Sequence, residues 1–199
     1  MIILIIDYGE TSIKMISQIL FDLNVQSIIQ NPEQPYPDHL PIAGLVLSGG
    51  PDHVYDPASR KLPAWIFKVN VPILGICYGM ELLVEAFGGK IGKMDRVEKG
   101  FTRIDIVRPD RLLGPLGSDV VWMNHLDAIA RMPVGFTYTA ISQRGIIAGI
   151  TDDIRIWGIQ FHPESKVEVL NGSEYFENFI DICESFGGGN FNMLNTRLI

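Results

Sequence analysis

The chain has 199 residues and a formal net charge of −7, from 23 Asp and Glu against 16 Lys and Arg. Its length suits one domain with a sizeable core, and a mean hydropathy of +0.19 with 10% aromatic residues excludes an intrinsically disordered chain. Two cysteines exclude a disulfide scaffold, while a pI near 5.0 leaves no surplus of cations for nucleic-acid phosphates.

The apolar run Ile2–Ile6 stops at Asp7. It falls far short of the ~20 residues that span a bilayer, and no basic segment precedes it as in a signal peptide. It therefore reads as a buried strand in a cytoplasmic, single-domain protein without membrane or nucleic-acid partners. The spacing of Ile13, Ile16, Ile19, Leu20 and Leu23 predicts a helix. Val25–Ile29 reads as a second strand, and four prolines between Asn31 and Pro41 make that stretch a loop. Ile42–Leu47 is a third predicted strand, closed by Ser48-Gly49-Gly50-Pro51. A helix is expected over about Ala58–Val69, a strand over Val71–Ile76, and a helix over Tyr78–Phe87 stopped by Gly88-Gly89. This alternation predicts an α/β fold with a mostly parallel central sheet and helices on both faces.

The second half changes character. Thr102–Val107, Asp119–Met123, Phe136–Ser142, Ile146–Ile150 and Ile154–Gln160 read as strands with little helix between them, hence as extra, partly antiparallel strands. Glu174–Ser185 is predicted as a closing amphipathic helix with Phe176, Phe179, Ile180 and Cys183 on one face. The domain is expected over residues 1–186, with a C-terminal tail or linker over 187–199.

Three segments carry residues suited to chemistry. In Gly75-Ile76-Cys77-Tyr78-Gly79-Met80-Glu81, a cysteine stands between a strand and a helix start with glycines two residues before and after it. That pattern permits the sharp turn of a nucleophile elbow, and the adjacent helix N-terminus favours thiolate. A small apolar residue packed at a tight turn would leave the same pattern. In Phe161-His162-Pro163-Glu164, extended chain puts imidazole and carboxylate on one side, as a base and its orienter require. A hydrogen-bonded strand-end pair is the plainer alternative. The glycines of Leu47-Ser48-Gly49-Gly50-Pro51-Asp52 let backbone N–H groups approach a ligand, as in an oxyanion hole. The same segment also resembles the phosphate loop of ATP pyrophosphatases. It continues His53-Val54-Tyr55-Asp56-Pro57, however, which is not a helix start. No Walker A or dinucleotide fingerprint occurs, and no Cys/His spacing suggests a metal.

Together these motifs resemble the class I, or triad, glutamine amidotransferases, in that family's order and separations, from residue 1 to about 186. The variant to which they are most similar is the glutaminase domain of GMP synthetases, whose elbow reads Gly-[Ile/Val]-Cys-Tyr-Gly-Met-Gln and whose earlier loop reads Ser-Gly-Gly-Pro-x-x-Val-Tyr. The resemblance implies a flavodoxin-like sheet and a catalytic triad: Cys77 as nucleophile on the glutamine side-chain amide, His162 as proton shuttle and Glu164 as its orienter. It also implies an oxyanion hole from the N–H groups of Gly50 and Tyr78, a substrate pocket involving Glu81, Asn124, His125, Leu126 and Asp127, and no metal. Ammonia would pass to an ATP-pyrophosphatase-type synthetase, fused or separate, to which ATP and Mg²⁺ would belong; no cofactor is expected in this domain. A γ-glutamyl hydrolase, an amidotransferase of another pathway and a non-catalytic relative remain as alternatives.

The chain departs from the family pattern in three places. Glu81 stands where glutamine is usual, Leu126 replaces a glycine, and Ser165-Lys166-Val167-Glu168 replaces Val-x-His-Thr. An ionised Glu81 accepts but cannot donate hydrogen bonds, so a complete triad with a retuned glutamine pocket is the expectation.

Overall fold

The computed structural model describes residues 1–165 and 172–188. The described strands form one mixed sheet in the order β2-β1-β3-β4-β9-β8-β7-β5-β6. Its parallel half consists of β1 (Ile2–Ile6), β2 (Gln26–Gln30), β3 (Ile42–Leu47), β4 (Ile73–Ile76) and β9 (Ile156–Ile159). Its antiparallel half consists of β5 (Lys90–Ile106), β6 (Gly117–Arg131), β7 (Thr137–Ser142) and β8 (Ile147–Thr151).

Strand periodicity divides the core into two layers. Ile3 and Ile5 of β1 point to the face that carries Ile16 and Leu20 of α1 (Ile13–Asp22) and Phe176, Phe179 and Ile182 of α3 (Ser173–Gly188). Leu4 and Ile6 point to the opposite face, against Met80, Leu83 and Val84 of α2 (Tyr78–Ala86). Because both faces of β1, β3, β4 and β9 are covered, these strands read as unbroken apolar runs, whereas the edge strand β2 does not.

Three expectations are corrected. The helix expected over Ala58–Val69 is only a 3-10 turn, Ala64–Phe67. Pro63 provides no N–H and its ring opposes helix in the preceding turn. Ahead of it, Arg60 and Lys61 are tied instead to Asp52 and to the carbonyls of Val54 and Asp56. Second, β5 and β6 are far longer than Thr102–Val107 and Asp119–Met123, and pair along most of their length with a register break between Lys93 and Glu98. The charged stretch around Lys93–Lys99 falls at that break, where Met94, Asp95, Arg96 and Val97 pair with no residue of β6, and much of its side-chain surface is exposed, so it carries no apolar stripe. His125 accordingly lies within a strand rather than after one. Third, α3 continues to Gly188, into the start of the segment expected as a tail; residues 189–199 lie outside the described residues. No helix among the described residues is long and apolar enough to cross a membrane.

Candidate active site

The parallel strands deliver three loops to one end of the sheet, where α/β proteins place their sites. After β4 the chain turns sharply into α2 at Cys77, whose φ of 49° and ψ of −109° are unusual for a residue with a side chain. The turn is held by the Cys77 N–H, which donates to Ile159 O at 2.7 Å. Its flanking glycines allow close packing. A Cβ on Gly79 would lie 2.3 Å from Leu47 O, and one on Gly75 would meet Leu83 Cδ1 at 2.7 Å and Gly79 C at 2.8 Å. Cys77 is 5% exposed and lines a cavity of about 220 Å³.

His162 approaches from the end of β9, with its N–H donating to Trp122 O at 2.9 Å. Its Nδ1 lies 2.8 Å from Glu164 Oε1, so Nδ1–H donates to the carboxylate and Nε2 remains for the thiol. Burial opposes the imidazolium, but Cys77 and Glu164 outweigh it and raise the His162 pKa well above the usual histidine value. Burial pushes the Cys77 thiol up, and His162 opposes that rise. Thiol and imidazole therefore titrate as a coupled pair.

The glycine loop after β3 closes the arrangement. A Cβ on Gly49 would come within 2.8 Å of His162 Cε1, so only glycine lets the imidazole take this position. Ser48 Oγ accepts the Tyr8 N–H at 3.0 Å and donates to Gly49 O at 2.8 Å, fixing the loop's entry. Gly50 and Tyr78 both line the Cys77 cavity. The Tyr78 N–H, at the start of α2, is directed at the Cys77 sulfur.

Glu81, Asn124, His125, Leu126 and Asp127 all line the same cavity. The His125 ring is not free, since Nε2 lies 3.0 Å from Glu98 Oε2 and Nδ1 2.8 Å from Asp127 O. The Asp127 carboxylate bonds His53 Nδ1 at 2.5 Å and Tyr55 Oη at 3.0 Å, tying β6 to the loop across the pocket. Burial raises the Glu81 pKa to about 8, so the side chain is mainly a neutral acid at pH 7, not the carboxylate that the sequence suggests. Lys166, Val167 and Glu168 lie outside the described residues.

Several site residues carry no motif. Gln160 donates from Nε2 to Glu81 Oε1 at 3.1 Å and approaches Cys77 Sγ at 3.8 Å. The extended chain expected for His162–Glu164 is instead a turn, because β9 ends at Ile159 and the Ser165 N–H closes back on His162 O at 3.2 Å, so strand spacing does not mark Gln160. Glu10 follows β1, with Oε2 3.8 Å from His162 Nδ1. Ser12 Oγ lies 3.1 Å from Glu10 Oε1 and 3.2 Å from Glu164 Oε1. No local pattern marks these two, because their proximity to His162 is created by the fold. Glu10, His162 and Glu164 each offer a ligand atom within 4.8 Å of the others, a donor set that a divalent cation fits. Such an ion would compete with the proton between His162 and Glu164.

A thiol at an elbow, with a carboxylate-held imidazole beside it, is the arrangement of thiol-dependent acyl-transfer enzymes. The chain belongs to a particular family of these: the model for "Glutamine amidotransferase class-I" matches residues 4–182. Among curated relatives, GMP synthase [glutamine-hydrolyzing] of Listeria monocytogenes serovar 1/2a is 43% identical over 143 residues, 70% of this chain and 27% of that protein. The enzyme of the same name from Thermotoga sp. strain RQ2 is 35% identical over 183 residues, 92% of this chain and 36% of that protein. The chain thus spans roughly a quarter to a third of these relatives. The crystal structure of a Thermoplasma acidophilum protein, provisionally described as one of the subunits of GMP synthase, superposes with a TM-score of 0.81 at 29% identity. That match covers 94% of this chain and 96% of the other.

Proposed function

We propose that this chain hydrolyses the side-chain amide of glutamine through a Cys77 thioester and supplies the ammonia to a synthetase that makes GMP in the cytoplasm. The observation that carries the reading is the relay from Cys77, which lines the pocket beside α2, to His162, whose Nδ1 lies 2.8 Å from Glu164. The names of the Listeria and Thermotoga relatives support GMP as the product.

In this mechanism Cys77 Sγ attacks the amide carbon while its proton passes to His162 Nε2. Glu164 stabilises the imidazolium that forms. The N–H groups of Gly50 and Tyr78 receive the developing oxyanion. Collapse breaks the C–N bond, His162 returns the proton to nitrogen, and ammonia leaves. Water then attacks the thioester with His162 as base, releasing glutamate and restoring the thiol. Every acid, base and nucleophile is a side chain of this chain, so no cofactor is required here; ATP and Mg²⁺ belong to the synthetase partner.

The test is glutamate release from glutamine, measured with and without an ATP-pyrophosphatase-type GMP synthetase, because partner docking can complete such sites. Wild type is expected to turn over, and Cys77→Ala to lose at least about 10³-fold. Equal turnover by the two proteins contradicts the mechanism.

A further inference from the structure

Among the described residues, the surroundings of Glu81 contain no cation to spare. From its own helix start it faces the Cys77 thiol and the Tyr78 phenol, and from the end of β9 it faces Gln160 and His162. His162 is committed to Glu164 at 2.8 Å and to Cys77. Across the cavity β6 presents Asp127, which is paired with His53 of the loop, and His125, which is paired with Glu98 of β5. The same loop carries Tyr55, bonded to Asp127, and Asp52, whose cation is Arg60 at 2.8 Å. Glu81 is 3% exposed, and its carboxyl Oε1 accepts from Gln160 Nε2 at 3.1 Å. Ionised, it would put a second carboxylate opposite Asp127 in a cavity of about 220 Å³. That arrangement is costly at low dielectric. A nearby acceptor, Gln160 Oε1, is also buried without a donor among the described residues, as suits a neighbour that carries an acid proton.

We propose that Glu81 works as a neutral carboxyl group whose O–H donates to the α-carboxylate of bound glutamine, and that its ionisation closes the pocket to glutamine. The proposal rests on the glutaminase reading and deepens it. A protonated carboxyl has the shape of a carboxamide and, like it, offers one acceptor oxygen and a donor. This accounts for acid in place of glutamine at a position facing the nucleophile. It also gives recognition an alkaline limit separate from the titration of Cys77 and His162.

The test compares two alkylating agents at Cys77 between pH 6.5 and 9.5, read by mass on the Cys77 peptide. One is a diazoketone analogue of glutamine, which carries the α-amino and α-carboxylate groups; the other is iodoacetamide, which lacks both. The ratio of their rate constants removes thiolate formation and leaves recognition. In wild type the ratio should fall about tenfold per pH unit above about pH 8, the range in which Glu81 loses its proton. In Glu81→Gln it should stay flat. In Asp127→Asn the fall should begin at lower pH, because the Asp127 charge helps to hold the Glu81 proton. A flat wild-type ratio, an equal fall in Glu81→Gln, or an unmoved midpoint in Asp127→Asn overturns the proposal. Labelling by iodoacetamide with none by the analogue at any pH, with a GMP synthetase partner present, overturns the glutaminase reading itself, and this proposal with it.

Discussion

His162 faces two carboxylates on the side away from the thiol, and they are not equivalent. Glu164 is 1% exposed and accepts the Nδ1 proton at 2.8 Å, whereas Glu10 stands 3.8 Å away and spends Oε1 on Thr11 and Ser12. The short contact fixes the tautomer; the longer one adds charge. Glu164→Gln keeps the shape and an acceptor oxygen but removes the charge that supports imidazolium. It should lower kcat for glutamine hydrolysis by about 10²–10⁴-fold with the fold intact, as steady-state kinetics beside a circular-dichroism melt would show. Glu10→Gln should cost less than about tenfold in the same assay. Its contact is too long for a hydrogen bond, and its charge is partly exposed to water. A larger loss in Glu10→Gln than in Glu164→Gln would reverse the two roles.

At the scale of elements, the elbow works because α2 sits close against β3 and β4. The positive φ at Cys77 stores about 1–3 kcal/mol of strain, which the surrounding packing must hold. Gly79→Ala should raise helix propensity by up to about 1 kcal/mol. Its Cβ would nevertheless press on Leu47 O at 2.3 Å, a backbone atom that cannot step aside. A net destabilisation of about 1–3 kcal/mol in denaturant unfolding is expected, with reduced alkylation of Cys77 as the elbow shifts. Unchanged stability would mean that α2 is free to move. The elbow, the glycine loop and His162-Pro163-Glu164 were legible in the sequence because each is a local pattern with a local cause. The helix expected over Ala58–Val69 was not, since Pro63 and the side-chain ties of Arg60 and Lys61 outweigh the apolar spacing.

The whole molecule divides its labour between the two halves of one sheet. The parallel half holds nucleophile and base at the ends of β4 and β9, and the β5–β6 hairpin supplies the opposite wall through Asn124, Leu126 and Asp127. Buried parallel strands announce themselves as apolar runs. The hairpin does not, because its charged stretch falls at the break in the β5–β6 pairing with much of its surface in water. The pocket's long-range contacts, Glu10 to His162, His53 to Asp127 and Gln160 to Glu81, likewise had no sequence signature, because the fold creates them. The most direct test of the central claim, that Cys77 is the nucleophile of a glutamine-binding site, is intact-protein mass after exposure to an electrophilic glutamine analogue. Cys183 is the natural control, being 3% exposed in the core with its thiol pushed up to about 12. One adduct is expected in wild type and in Cys183→Ala, and none in Cys77→Ala. An adduct that persists in Cys77→Ala, or none in wild type even with a GMP synthetase partner present, would contradict the claim.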